Sequence, residues 1–156
     1  MSDDNKFLRK AIEIASSGIS SGGGPFGAVI SKEGILIAGS NNRVVLNNDP
    51  TAHAEILVIR EAARFLGTHD LNGCILYTSC EPCPMCLGAI YWSGIKRVVY
   101  ASERHDAAAA GFVDELIYNE ISLDPSERKV SFVRMEDHEA TEVFRKWIEY
   151  DGKTTY

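Results

Sequence analysis

The sequence predicts an α/β fold built on a mixed β-sheet, and three features carry that reading. Two short apolar runs flank Lys32-Glu33-Gly34, the pattern of a β-hairpin. Two helical stretches then alternate with two further apolar runs, the order of parallel βαβ crossovers. Helical periodicity near both ends of the chain supplies cover for the sheet. A length of 156 residues suits one domain with one core, and no repeat or linker divides it.

Each element has its own local reason. Residues 4–19 place Phe7, Leu8, Ala11, Ile12, Ile14, Ala15 and Ile19 at one-sided helical spacing. Three consecutive glycines, Gly22 to Gly24, then break the helix before Pro25; no Gly-Lys-Ser/Thr follows, so the stretch is a turn and not a P-loop. Residues 26–30 and 35–38 are the hairpin strands. Asp49 before Pro50 predicts a capped helix start, which puts His53, Ala54 and Glu55 in its first turn. Ile56, Leu57, Ile59, Ala62, Ala63 and Leu66 line its buried side, and Gly67 ends it. Residues 74–78 form a third strand. Cys83 then stands at an N-cap position, with Pro84 first and Cys86 third in a helix that runs to Ser93-Gly94. Residues 95–101 are a fourth strand, and Val130-Ser131-Phe132-Val133 fits a fifth. Residues 102–129 are irregular with short helical pieces. A last helix spans 136–150, with Val143, Phe144, Trp147 and Ile148 on its inner face, and residues 151–156 leave it as a tail.

Composition narrows the class. A hydrophobic content of 45 % and a charged content of 24 % are ordinary for a soluble globular protein. The net charge of −6 disfavours a polynucleotide partner, and Lys96, Arg97 and Arg104 are too sparse to make a basic patch. No stretch approaches the roughly 18–20 apolar residues of a membrane span. The first residues lack the basic start and apolar run of a signal peptide, so a cytoplasmic protein without a membrane partner is expected. Cys80, Cys83 and Cys86 crowd together beside Pro82 and Pro84, which suits a metal in a reducing compartment better than disulfides. Cys74 reads as a core thiol, and His69, His105 and His138 as surface residues.

The chemistry concentrates in His53-Ala54-Glu55 and Pro82-Cys83-Pro84-Met85-Cys86. Cysteines three apart share a helix face, and a helix N-terminus favours thiolate over thiol. His53, Cys83 and Cys86 give three ligands, so a tetrahedral zinc would keep its fourth position for a water or hydroxide. The metal can lower the pKa of that water from about 15.7 to about 7. Glu55 lies roughly 200° around a helix from His53, so both cannot grip a metal on the helix flank, but both can reach a point off its end. There Glu55 serves as a proton shuttle beside the water. A second reading stays open at this point. Cys80, three residues before Cys83, could complete a closed Cys₃His knot, although Glu81-Pro82 extends the chain after it and a closed knot has no use for Glu55.

With these residues in hand, the chain resembles the cytidine-deaminase superfamily and, within it, is similar to the bacterial guanine deaminases. The resemblance runs through Gly24-Pro25-Phe26-Gly27-Ala28-Val29, Asn47 to Glu55, Tyr77 to Ala89, Ala110-Gly111-Phe112 with Asp114, and Tyr156. It implies a three-layer α/β/α fold with a five-stranded mixed sheet, one zinc per subunit, and hydrolysis of guanine to xanthine and ammonia by attack at C2. Carried over by position, His53, Cys83 and Cys86 would bind zinc and Glu55 would shuttle protons. Asp114 would bind the guanine edge and act as a second shuttle, Asn42 would contact the base, and Phe26 would stack on it. The N–H groups of Ala54 and Cys83 would help hold substrate or hydroxide. The family further implies a homodimer that exchanges C-terminal segments, with the tail closing an active site and Tyr156 reaching substrate in the partner. Bland readings accompany these: Asp114 as a helix cap, Phe26 as core, Asn42 as a turn residue, Tyr156 as a frayed end. The same chemistry on guanosine, a guanine-like triazine, cytosine or adenosine in tRNA is the alternative substrate reading, and a zinc-stapled interaction domain the non-enzymatic one.

Overall fold

The structure is a computed structural model described over residues 3–155. It forms two compact units, one up to Asp114 and one from Glu115 on. The first begins with helix α1 (Asp3–Ser20), then strands β1 (Gly27–Lys32) and β2 (Ile35–Asn41), a single-turn helix α2 (Val44–Asn47) and helix α3 (Ala54–Leu66). Strand β3 (Cys74–Cys80), helix α4 (Pro84–Trp92), strand β4 (Arg97–Ser102) and helix α5 (Arg104–Ala109) complete it. The strand order is β2-β1-β3-β4. β1 runs antiparallel to both β2 and β3, and β3 runs parallel to β4. The mixed sheet therefore has its crossovers as expected, except that the β2–α3–β3 connection steps over β1 and leaves β3–β4 as the directly paired parallel strands.

Side-chain alternation divides the core between two faces. Ala28, Ile30, Cys74 and Leu76 pack with Ala54, Val58 and Ala62 of α3 and Ile90 of α4. Their sequence neighbours Val29 and Tyr77 pack with Phe7 and Ala11 of α1 on the other side. This is the three-layer α/β/α arrangement. The hairpin turn works because Glu33 and Gly34 both take positive φ, 51° and 75°, the twist that a two-residue connection needs. Gly27 is required for a different reason: a Cβ there would collide with the Ala11 carbonyl oxygen and the Ala15 nitrogen of α1. At the far end of the sheet, Asp4 accepts from the Tyr77 hydroxyl at 3.0 Å and from both terminal nitrogens of Arg97 at 2.9 and 2.8 Å, which ties α1 to β3 and β4.

Three expectations need correction. Asp49 does not cap α3; its carboxylate accepts from the Thr51 backbone and hydroxyl at 2.8 and 2.7 Å, and α3 starts at Ala54 with His53 as its N-cap. The sheet has four strands, not five. Residues 130–133 are irregular, because their unit contains no strand among its described residues to pair with, and Val130, Phe132 and Val133 are exposed. That unit holds helix α6 (Glu115–Ile121), a 3₁₀ turn (Pro125–Glu127) and helix α7 (His138–Glu149). The third correction concerns α7: its apolar stripe of Val143, Phe144, Trp147 and Ile148 is present but exposed, so the face expected to point inward has no cover among the described residues.

Replacing Gly27 with Ala should lower the unfolding free energy by about 1–3 kcal/mol, the usual cost of overpacking. Chemical denaturation of the two proteins measures it, and an unchanged midpoint would contradict the close approach of α1 to β1.

Candidate active site

The site forms where two helices begin. His53 (φ −67°, ψ 152°) is the N-cap of α3, and Cys83 (φ −66°, ψ 169°) is the N-cap of α4. Neither side chain caps its own helix, so both are free to point away from the helix axis. Pro84 suits the first position of α4 because it has no N–H to leave unpaired, and Cys86 follows one turn into the helix. Backbone bonds bring the surrounding loops to the same end of the sheet. The Arg43 N–H donates to the Ala52 carbonyl at 2.9 Å, and the Asn42 N–H to the Phe26 carbonyl at 2.9 Å. Ser79, at the end of β3, accepts from the Gly27 N–H at 3.1 Å.

His53 Nδ1 lies 3.5 Å from the Cys83 sulfur and 3.6 Å from the Cys86 sulfur. Ligand atoms of all three residues fall within 4.8 Å of one another. Around a tetrahedral zinc with ordinary Zn–N and Zn–S bond lengths, a nitrogen and a sulfur stand roughly 3.5 Å apart. The three side chains thus fit zinc as they stand. Cys80 does not join them. It is buried, its thiol is directed at the Glu103 carbonyl at 3.6 Å, and burial pushes that thiol up to about 11. The side chains that come together are thus His53, Cys83 and Cys86 without Cys80, an arrangement that favours an open three-ligand site over the closed Cys₃His knot.

The electrostatics suit the same purpose. A hydrogen bond from Cys86, together with His53, holds the Cys83 thiol down to about 4. The same bond, reinforced by burial and by Glu55, drives the Cys86 thiol upward. Metal binding needs both sulfurs as thiolates and so would release their protons. The Cys83 contact raises the His53 pKa. Glu55 is 5 % exposed, and burial raises its carboxyl above the usual range, the direction that suits a group which must take and return protons near neutral pH. Glu55 Oε2 is 3.5 Å from the Cys86 sulfur, which sets it beside the ligand cluster without being part of it.

The remaining sequence candidates are placed as follows. Ala54 is fully buried at the first position of α3, where its N–H has no acceptor within the helix. Asn42 is buried; its side-chain oxygen accepts from the Val44 N–H at 3.2 Å, so its amide nitrogen is the part that can donate elsewhere. Phe26 is half-buried and meets Phe112 edge-on, ring centroids 4.9 Å apart at 85°. Asp114 is partly exposed, and its carboxyl is raised by burial and by the neighbouring charge of Cys83. Tyr156 lies outside the described residues. Sequence reading gave no role to Thr78, whose hydroxyl donates to Glu55 Oε1 at 2.9 Å in a fully buried position. Its signal was a hydroxyl on the same strand face as Leu76, at the end of a buried strand.

Comparison with known proteins agrees with this geometry. Residues 1–102 match the family model described as the cytidine and deoxycytidylate deaminase zinc-binding region. The chain belongs to that deaminase family. It is 51 % identical to the guanine deaminase of Bacillus subtilis over 151 residues, which covers 96 % of this chain and 97 % of that one. It is also 42 % identical to the tRNA-specific adenosine deaminase of Aquifex aeolicus over 108 residues, 68 % of this chain and 72 % of the other. Among solved structures, the X-ray structure of the Bacillus subtilis guanine deaminase superposes with a TM-score of 0.95 at 50 % identity, covering 97 % and 98 % of the two chains. The family is zinc-binding, and in this deaminase His53, Cys83 and Cys86 are positioned to bind one metal ion.

Cys83→Ser and Cys86→Ser should each lose tight zinc binding, whereas Cys80→Ser should keep one zinc per chain. Metal analysis after dialysis against a chelator checks this; loss of zinc from the Cys80 variant would return that residue to the ligand set.

Proposed function

We propose that this deaminase hydrolyses guanine to xanthine and ammonia. The observation that carries the assignment is the similarity to the Bacillus subtilis guanine deaminase. Its 151 matched residues necessarily include nearly all of the chain beyond residue 102, where the family model ends. The match to the tRNA adenosine deaminase covers only 68 % of the chain, and the net charge of −6 is a poor surface for RNA.

When bound, zinc supplies the Lewis acidity that makes water acidic enough to lose a proton near neutral pH. Glu55 takes that proton as water attacks C2 and passes it to the ring nitrogen beside C2; it then takes the second proton from the new C2 hydroxyl and gives it to the departing amine as C2 becomes a carbonyl. Water thereby replaces the exocyclic amino group, and ammonia leaves. The Asp114 carboxylate accepts from guanine N–H donors and acts as a second shuttle, while the Asn42 amide nitrogen donates to an acceptor on the base. Phe26 offers a ring face for stacking, and the first-turn N–H of Ala54 a donor at the positive end of α3.

Residues 1–156 act as one deaminase domain, and the active form is a homodimer that exchanges C-terminal segments. The exposed apolar residues from Glu115 on support this: no described residue there is buried, and Leu116, Ile117, Phe144, Trp147 and Ile148 are open to solvent. Monomers rarely leave so much contiguous apolar surface uncovered. Residues 151–156 then form a tail that closes the partner's pocket, with Tyr156 against substrate. The site belongs to the cytoplasm, where its four free cysteines stay reduced; among the described residues no helix is long and apolar enough to cross a membrane.

Glu55→Gln should keep zinc while guanine turnover falls by at least about 100-fold, the lower end of general acid–base catalysis. Loss of the guanine absorbance follows the reaction, and retained turnover would remove Glu55 from the shuttle role. Truncation after Gly152 should also cost most of the activity; full activity without the tail would contradict its role as a lid.

A further inference from the structure

Glu55 presents two carboxylate oxygens in two different settings. Oε1 accepts from the Thr78 hydroxyl at 2.9 Å. Oε2 faces the ligand cluster, 3.5 Å from the Cys86 sulfur. Thr78 is fully buried on β3, paired with Ala28 of β1 on one side and Tyr100 of β4 on the other. A strand in the middle of a sheet is among the most rigid mounts in the fold, and a β-branched side chain has little rotamer freedom of its own. A buried hydroxyl in that place costs stability unless it is bonded, and Val would fill the same volume without that cost. The bond to Glu55 is what the hydroxyl does there.

We propose that Thr78 is a positioning residue that divides the labour of the Glu55 carboxyl: it pins Oε1 and so assigns proton exchange to Oε2. The inference rests on the reading of Glu55 as the shuttle. A carboxylate at the end of three rotatable bonds would otherwise turn its oxygens through several orientations, and a proton acceptor must lie within hydrogen-bond reach of the proton it takes. With Oε1 held from the side of the sheet, Oε2 stays turned to the metal site through both the uptake of the proton and its return.

The test compares Thr78→Val, Thr78→Ser and Glu55→Gln as zinc-loaded proteins. Thr78→Val should retain one zinc per chain and a KM within about twofold of wild type, while kcat falls roughly 10- to 100-fold, the scale of one lost bond to an ionised group. Thr78→Ser restores the hydroxyl and should recover kcat to within about threefold. Independently of turnover, the infrared carboxyl band that disappears in Glu55→Gln should shift in Thr78→Val and return in Thr78→Ser. Should the Val variant fail to fold, Thr78→Ala carries the same comparison. Wild-type kcat in Thr78→Val, an unshifted band, loss of zinc, or a Ser variant as impaired as Val would each overturn the proposal. If Glu55→Gln itself keeps turnover, the shuttle assignment fails first, which separates the two errors.

Discussion

The N-termini of α3 and α4 must meet beside the ends of β2 and β3, and the rest of the structure serves that meeting. His53 and Cys83 are both N-cap residues with extended backbone, so each side chain leaves its helix at the end and not along its flank. Only in that position can a residue two places further on, Glu55, approach the same point from the first turn. The placement also explains why thiolates are tolerated in a largely buried site: both helices direct their positive ends and unpaired N–H groups at it. The core behind it is what holds the two helices in register. Ala54, Val58 and Ala62 of α3 and Ile90 of α4 seat on one face of the sheet, while α1 closes the other face and is locked to it through Gly27 and the Asp4–Tyr77–Arg97 cluster.

Most of this was legible in the sequence because it depends on short-range rules. Three-residue spacing placed Cys83 and Cys86 on one face, Pro84 marked the start of α4, Gly67 marked the end of α3, and short apolar runs identified β1 and β3. What was misread depended on partners that spacing does not encode. Asp49-Pro50 has the local chemistry of a helix start, but its carboxylate is used by Thr51 in a turn. Val130 to Val133 has strand propensity, yet a strand needs a neighbour with unpaired backbone, and its own unit offers none among its described residues. The stripe on α7 was correctly periodic; periodicity states which face is apolar and not what covers it. Thr78 was silent for a related reason, since a lone hydroxyl in an apolar strand acquires meaning only when Glu55 is found opposite it across 23 positions of sequence.

The contrast between the two units bears on specificity. The three candidate metal ligands and Glu55 lie within residues 1–102, the stretch that matches the deaminase family model and that relatives with different substrates share. Under the proposed function, discrimination between bases falls to polar and aromatic groups outside the metal cluster, such as Phe26, Asn42 and Asp114. A pocket built to pair with a polar base edge rejects a base that leaves its groups unpaired far more strongly than an apolar pocket rejects a wrong shape.

The central claim is that the protein supplies three metal ligands and leaves the fourth position open next to Glu55. Zinc X-ray absorption on the metal-loaded protein tests it most directly. Two sulfurs at about 2.3 Å, one nitrogen at about 2.0–2.1 Å and one further light atom are expected for this arrangement. Three sulfurs and one nitrogen with no further ligand would show that Cys80 closes the site, and would contradict an open, catalytic zinc.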